Sequence, residues 1–510
     1  MSNRAANLFR RVAERPDATA IIFDDFRTTF ALLAAQVRHR AGAFAHLGIG
    51  RNDRVGLWLP STPDFISTQQ ALFMLGAIVT PINVLYLADD VRHAAACCQL
   101  DAIVTTDALA AAFGDNPPCA LIVIDAAVDG PITRSLRCFA AETSEPAQAM
   151  ADVADDDVAM LLLTSATTGK AKGVMLTAGN LAANYDRTPD WLGLNSQSVI
   201  LCALPLYNTF GLNQGINAML QTGCTLVLSS RFEAKACIAA IAKYRCTFLP
   251  AVPTMLQKML DHPDASRETL GSLRTIMTGG APVPSTLLRR LLELAPDVEL
   301  LTGYGLTEAT ALVTLTPVRL NADGGIDRER TIGRVLDGIN LAVIDDAGTV
   351  LPRGRTGEMV VCGPNVMAGY FRSPEDNAAA LADGWLRTGD IGYVDPAGYV
   401  FIVDRKKDVI IRGGQNIYPA DIEEVLYAFS GVAEAAVIGV PDAILGEVPI
   451  AFVAFRNDGR TWTVEDMIDH CRTRLSSYKR PVTIEIRDEL PKGPTGKILR
   501  RALRPKPLAA

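Results

Sequence analysis

The chain is poor in the residues that staple or metallate a protein. Ten cysteines are spread over 510 residues with no CxxC pair, and only Cys97 and Cys98 stand close together. That spacing argues against a disulfide scaffold or a zinc ribbon and suits a reducing compartment. Histidine is scarcer still: His39, His46, His93, His262 and His470 are all there are, and none sits in a motif. A serine–histidine hydrolase and a histidine-ligated metal enzyme are disfavoured on that ground. Positive charge is not in excess, since 49 Lys and Arg face 56 Asp and Glu for a net charge of −7. No field is left to attract a nucleic-acid backbone or an anionic bilayer. The longest greasy stretch, residues 71–87, is broken by Thr80, Pro81 and Asn83. It falls short of the roughly 20 apolar residues that span a bilayer. The first residues, Met-Ser-Asn-Arg-Ala-Ala-Asn-Leu-Phe-Arg-Arg, lack the apolar core of a secretory signal. A cytoplasmic protein with no membrane span and no nucleic-acid partner is expected.

What is present is an ordinary globular composition, 49% hydrophobic and 21% charged. Between residues 54 and 301, short apolar runs alternate with amphipathic segments. Residues 55–59, 77–82, 102–105, 120–124, 158–163, 199–203, 225–228, 247–249 and 273–277 read as buried strands, and 64–75 and 234–244 have helical spacing. Such alternation predicts an α/β fold with mainly parallel sheets. After Gly333 the texture turns to hairpins, 341–344 with 358–362 and 393–394 with 399–403, each across an Asp/Gly turn. The charged run Asp404-Arg405-Lys406-Lys407-Asp408 then marks a boundary. Beyond it, 421–427 (helix), 435–439 (strand), 450–455 (strand) and 464–475 (helix) form a small α+β unit. The expected organisation is a large N-terminal lobe of αβ-layered sheets plus a β-rich subdomain over 1–403, a hinge at 404–408, and a small mobile α+β lobe over 409–510.

Two loops carry chemistry. Thr164-Ser165-Ala166-Thr167-Thr168-Gly169-Lys170-Ala171-Lys172-Gly173 follows an apolar strand and gathers hydroxyls, amides and two ammonium groups, as a triphosphate tail requires. A Walker A loop needs Gly where Thr164 stands and Ser or Thr where Ala171 stands, so a kinase-type P-loop is excluded. In isolation the segment also reads as a solvated turn. The second loop, Thr302-Gly303-Tyr304-Gly305-Leu306-Thr307-Glu308, puts Glu where a dinucleotide fingerprint needs its third Gly. Tyr304 can stack on a base, Thr307 can contact a phosphate, and Glu308 can ligate a hard cation. Taken singly, Tyr304 is equally a core aromatic and Glu308 a surface carboxylate.

Two further segments join these loops: Gly384-Trp385-Leu386-Arg387-Thr388-Gly389-Asp390, leading to Asp404–Asp408 and Arg412-Gly413-Gly414-Gln415-Asn416-Ile417-Tyr418-Pro419, and Leu490-Pro491-Lys492-Gly493-Pro494-Thr495-Gly496-Lys497. In this order, from Phe30 to Leu503, the chain resembles the adenylate-forming superfamily of acyl-CoA synthetases, peptide-synthetase adenylation domains and beetle luciferases. The resemblance implies attack of a carboxylate on the α-phosphate of ATP, giving acyl-AMP and pyrophosphate, then transfer of the acyl group to a thiol. It implies that Lys497 bridges the substrate carboxylate and ATP oxygens, with Thr307 and Glu308 as further catalytic residues and Glu308 as the Mg²⁺ ligand. The implied ATP site comprises Thr164, Ser165, Thr167, Thr168, Gly169, Lys170, Lys172, Gly280, Ala281, Pro282, Thr302, Gly303, Tyr304, Gly305, Asp390 and Arg405. Asp390 would accept from the ribose hydroxyls, with Arg405 assisting at ribose and phosphate. Asn208, Thr209, Gly279 and Gly305 would line the acyl pocket, Arg412, Gly413, Gly414 and Gln415 the thiol loop, and Lys407 would be the pivot between the two half-reactions.

The sequence also departs from the family it resembles. Ala166 and Ala171 replace the usual Gly and Pro, and Asn208 stands where the acyl-CoA synthetases commonly carry His. Asn can donate and accept but not ionise. Either it recognises a polar group on the acid or it packs. The resulting expectation is an ATP-dependent carboxylate–CoA ligase using ATP, Mg²⁺ and CoA, acting on a small-molecule carboxylic acid. The alternatives are a ligase that loads the phosphopantetheine of a separate acyl carrier protein, and a lapsed enzyme that only binds a nucleotide or acyl group.

Overall fold

A computed structural model of the chain describes residues 2–125, 136–138, 145–164, 172–281, 283–442, 444–456, 462–493 and 498–504. Six parallel strands build the centre of its largest sheet. Their order is Glu299–Leu306, Thr275–Gly279, Phe248–Ala251, Val199–Cys202, Thr225–Leu228 and Thr19–Phe23. These are the continuous apolar runs expected of strands covered on both faces. Helices return the chain between them. Ala234–Tyr244, for example, buries Cys237, Ile238 and Ile241 at helical spacing, and its first turn is capped by Glu233, whose carboxylate accepts from Ala236 N–H.

Beyond Leu306 the sheet turns antiparallel through Ala311–Pro317, Thr331–Val335, Val400–Arg405, Trp385–Val394, Gly357–Cys362 and Asn340–Ile344. The β-rich segment therefore continues the parallel sheet rather than standing beside it. A second sheet holds Gly369–Tyr370, Lys172–Thr177, Val158–Thr164, Ile78–Pro81, Arg54–Trp58, Ala102–Thr105, Ala120–Val123 and Leu136–Cys138. It is parallel except where the Lys172–Thr177 strand pairs antiparallel with its two neighbours.

Residues 404–408 were expected as one connecting run, but the strand Val400–Arg405 takes in the first two of them. Asp390 and Arg405 face each other across the ladder, and that pairing extends the strand. A turn closed by Asp408 N–H on the Arg405 carbonyl follows. The small lobe then forms its own sheet, Gln415–Ile417, Ile410–Arg412, Gly446–Phe455 and Val432–Asp442, with Thr483–Ile486 on Gly446–Phe455. Alternation along Val432–Asp442 sends Ala435 and Val437 into one apolar cluster and Ala436 and Ile438 into another. Leu490 and Leu503 pack into the second cluster, so both flanks of the C-terminal tail are anchored to this sheet. Among the described residues, no apolar cluster crosses from the large lobe, whose core reaches Val400 and Ile402, to the small one, which starts at Ile410. Units joined without a shared core are free to change orientation. Cys97, Cys98, Cys119, Cys202, Cys224, Cys237, Cys246, Cys362 and Cys471 carry free thiols, and no described helix is long and apolar enough to cross a membrane.

Candidate active site

Register assembles the site. In the parallel pairing of Thr275–Gly279 with Glu299–Leu306, Thr278 faces Thr302 and Gly279 faces Gly303. Two segments far apart in sequence thus emerge side by side at the carboxyl ends of their strands. Asn208 follows the carboxyl end of Val199–Cys202, two strands away. In open α/β sheets that edge is where ligands bind. The Thr302–Glu308 segment was expected as a loop after a strand ending at residue 301. It is strand through Leu306, because Ala311–Pro317 pairs antiparallel with it. Gly305 sits at an irregularity of that ladder, where an added Cβ would lie 1.7 Å from the Ala311 carbonyl oxygen. No larger residue fits there without moving the main chain.

Three side chains form the site's polar line, two of them buried, Tyr304 and Asp390, and one exposed, Arg405. The Tyr304 hydroxyl donates to Asp390 Oδ2 at 2.5 Å, and Arg405 Nε pairs with Asp390 Oδ1 at 3.1 Å. Thr388 Oγ1 accepts from Asp390 N–H at 3.1 Å and donates to the Met359 carbonyl at 2.7 Å, fixing the strand around the carboxylate. Burial, reinforced by the Asp390 charge, pushes the Tyr304 phenol well above its ordinary pKa, so it remains a donor. Asp390 is buried with one contact on each oxygen, and an ionised carboxylate has about four acceptor sites. Capacity for two hydroxyl donors remains.

Glu308 lies in the turn Thr307–Ala309. Its carbonyl accepts from Met367 N–H at 2.9 Å, and its Oε1 accepts from the Tyr370 hydroxyl at 3.0 Å. Burial and then the Glu308 charge raise the Tyr370 pKa. Tyr370 pairs with Val174 on the strand Lys172–Thr177, and its ring lies 5.0 Å under Lys172 Nζ. The Lys172 ammonium is ion-paired with Asp376. Lys172 therefore stands opposite Thr164 across the hairpin and is held against Tyr370 and Asp376. Of the loop itself, Ser165, Thr167, Thr168, Gly169 and Lys170 lie outside the described residues, as do Pro282 and Lys497. Gly280, at φ +78°, and Ala281 follow the strand end directly.

Asn208 has a structural task that its sequence position did not disclose. Its Oδ1 accepts from Phe210 and Gly211 N–H, both at 3.1 Å, capping the helical run 209–222. The middle of that run, Leu212–Asn217, is a π-helix. The Asn208 amide nitrogen bonds to no described residue, which leaves a donor beside the strand ends. Thr209 opens the helix.

In the small lobe, Gly413 and Gly414 have φ of +56° and +79° in the two-residue turn joining Ile410–Arg412 to Gln415–Ile417. Two successive positive φ values are the demand of a type I′ hairpin, which glycine meets without strain. Arg412 Nη1 donates to the Tyr478 carbonyl at 2.6 Å. The strip leading to Lys497 is closed by a bridge between Lys492 and Ile498 and by Leu499 N–H on the Pro491 carbonyl at 2.7 Å. Glu489, at its start, is pulled below its ordinary pKa first by Lys492 and also by Lys258, on the helix that follows strand Phe248–Ala251. Among the described residues, no three His, Cys, Asp or Glu side chains gather as a metal cage. A single hard carboxylate at Glu308 fits a Mg²⁺ ion that arrives with phosphate oxygens and water as its other ligands.

Tyr370, Asp376 and Thr388 were not identified as site residues in sequence. The Gly369–Arg372 run was visible, but nothing local in it points at Glu308.

Residues 8–371 match the model of the AMP-binding enzyme family, and residues 421–497 match that of the AMP-binding enzyme C-terminal domain. A 7a-methyl-1,5-dioxo-octahydro-inden-4-yl-propanoyl:CoA ligase of Mycobacterium tuberculosis is 38% identical, over 98% of each chain. A feruloyl-CoA synthase of Amycolatopsis is 36% identical over 97% of each. The o-succinylbenzoate CoA synthetase of Bacillus subtilis, solved with its acyl-adenylate intermediate, superposes with a TM-score of 0.85 at 28% identity over 98% of both chains. The same synthetase solved with ATP and a magnesium ion gives 0.83 at 29% identity and the same coverage. The chain belongs to the AMP-binding enzyme family, as an AMP-forming acid–CoA ligase.

Proposed function

We propose that this ligase activates a ring-bearing carboxylic acid that carries a hydrogen-bond-accepting substituent, and that its site residues act as follows. The observation that carries the nucleotide reading is the Tyr304–Asp390–Arg405 line. A buried carboxylate, held by a phenol and a guanidinium with acceptor capacity to spare, suits the two hydroxyls of a ribose. Tyr304 presents its ring to the base, beside the Gly279–Ala281 strip. Thr164, Lys172 and the loop between them receive the phosphates, and Glu308 would hold a Mg²⁺ ion, which would supply neutralisation of phosphate charge.

In the first half-reaction a carboxylate oxygen attacks the α-phosphorus of ATP. The bond to the bridging oxygen breaks and pyrophosphate leaves. Two anions must meet, so Lys497 is placed between them as a fixed cation, and Thr307 offers its hydroxyl to the phosphate. In the second half-reaction the CoA sulfur attacks the acyl carbon, the thiol proton is lost to solvent, and AMP leaves. The Arg412–Gln415 loop serves this step, after the small lobe has turned about Lys407.

The acid class rests on Asn208, whose amide nitrogen bonds to no other described residue and stands where the family resemblance puts the acyl pocket. It rests also on relatives named for a bicyclic diketo acid and for ferulate. Pyrophosphate release across a panel of alkyl, aryl and oxygenated ring acids, with and without CoA, tests the reading. Turnover with oxygenated ring acids, and a CoA thioester as product, is expected. A thioester formed only on a carrier protein would reassign the acceptor. Nucleotide binding without pyrophosphate from any acid would leave a lapsed enzyme.

A further inference from the structure

Arg500, three residues beyond Lys497, is the most connected cation in the small lobe. Its Nη2 holds both Glu423 oxygens at 2.8 Å, and its Nη1 reaches Asp408 Oδ2 at 3.3 Å and Asp404 Oδ1 at 3.6 Å. Glu423 is itself buried and accepts from Val437 N–H at 2.8 Å, which fixes the fork to the small sheet. Asp404 and Asp408 flank Lys407, one on each side. Asp404 belongs to the last strand of the large sheet, whereas Asp408, Glu423 and Arg500 belong to the small lobe. Of the three acceptors, only Asp404 lies across the pivot.

Asp404 makes a second contact of the same kind. Its Oδ2 accepts from Ala420 N–H at 3.0 Å, in the first turn of the small-lobe helix Pro419–Tyr427. The carboxylate is buried, so its pairing with Arg500 is little screened by solvent. The other link between the lobes near this helix, Arg330 to Asp421 at 3.1 Å and to Glu424 at 2.7 Å, is made by an exposed arginine and is correspondingly weak.

We propose that Arg500 is a positioning residue: by bridging Asp404 to Glu423 across the pivot, it latches the small lobe in its present orientation, and that this orientation is the one used for acyl-AMP formation. Turning about Lys407 carries Arg500, Asp408 and Glu423 together, so of the Arg500 pairs only the one to Asp404 breaks and the latch opens without unpairing Glu423. Bidentate pairing with Glu423 and reach to a third acceptor are what a guanidinium fork offers and an ammonium does not. The inference rests on reading Lys407 as the pivot.

The test is to measure both half-reactions separately in the full-length enzyme. Arg500→Met should lower the kcat of acyl-AMP formation at least tenfold with KM for ATP and acid within threefold. Transfer from pre-made acyl-adenylate to CoA should stay within threefold of wild type. Arg500→Lys should recover part of the adenylation rate. An equal fall in both half-reactions, or no fall in either, would overturn the proposal. Should Arg500→Met not fold, Asp404→Asn cuts the contact across the pivot while leaving Glu423 paired. It should shift the ratio of the two rates in the same direction, and an unchanged ratio counts against the latch. Lys407→Pro, which restricts φ at the pivot, keeps the two readings apart. Wild-type rates in both steps with that variant would remove the pivot itself, whereas a separation of the two rates beside an inert Arg500→Met would remove only the latch.

Discussion

Asn208 combines two functions that a single truncation would confound. Its oxygen caps a helix and its nitrogen is left as a donor. Asn208→Ala should cost about 1 kcal/mol of stability from the lost cap, whatever the substrate. Asn208→Ser keeps a capping oxygen and removes the amide donor. On an acid whose acceptor pairs with that donor, kcat/KM should fall roughly 5- to 150-fold, the equivalent of leaving a buried group unpaired at about 1–3 kcal/mol. A plain alkyl acid of similar length should lose little. Equal losses on both acids with the Ser variant would reduce Asn208 to a capping residue. At the same scale, burial pushes the Asp404 carboxyl up to about 6 against the opposing pull of Arg500. A raised carboxyl means that the folded state binds the proton more tightly than the unfolded one. This group's contribution to stability therefore declines as pH rises from about 4 to about 6. Against wild type, Asp404→Asn should gain relative stability over that window by on the order of 2 kcal/mol, read from denaturant unfolding at a series of pH values. A constant difference across the window would mean that Asp404 titrates normally.

At the scale of elements, the turn between Ile410–Arg412 and Gln415–Ile417 is the sharpest local demand in the small lobe. Gly414→Val forces a β-branched residue to positive φ, at a cost of about 1–2 kcal/mol. Because this hairpin is assigned to the thiol step, acyl transfer to CoA should fall several-fold more than acyl-AMP formation, and an equal fall would detach the hairpin from that step. Elements of this kind were legible in sequence. The Gly-Gly pair, the apolar runs of the parallel strands and the helix Ala234–Tyr244 each declare themselves within a few residues. Less legible was anything decided by a distant partner. Thr302–Leu306 looked like a loop because its glycines weaken a strand, and only pairing with Ala311–Pro317 makes it one. Lys172 read as a free phosphate ligand, yet its counterion is Asp376, 204 residues away. Nothing in the sequence singles out Arg500, since the three acidic residues it binds are scattered over Asp404, Asp408 and Glu423.

At the scale of the molecule, the two lobes share no apolar core among the described residues, and ion pairs and the strand-to-turn crossover at Arg405–Asp408 link them. In the mechanism we propose, one site performs two reactions in turn, with the small lobe offering Lys497 first and the Arg412–Gln415 loop afterwards. It also makes the site divisible by mutation. Removing one fixed electrostatic donor costs roughly 10²–10³ in rate, and Lys497 is assigned to both reacting anions at once. The decisive measurement is therefore the pair of half-reaction rates of Lys497→Ala: pyrophosphate release from ATP and acid, and CoA thioester formation from pre-made acyl-adenylate. Alternation of the lobes predicts loss of the first by at least two orders of magnitude with the second close to wild type. Equal loss in both would contradict it.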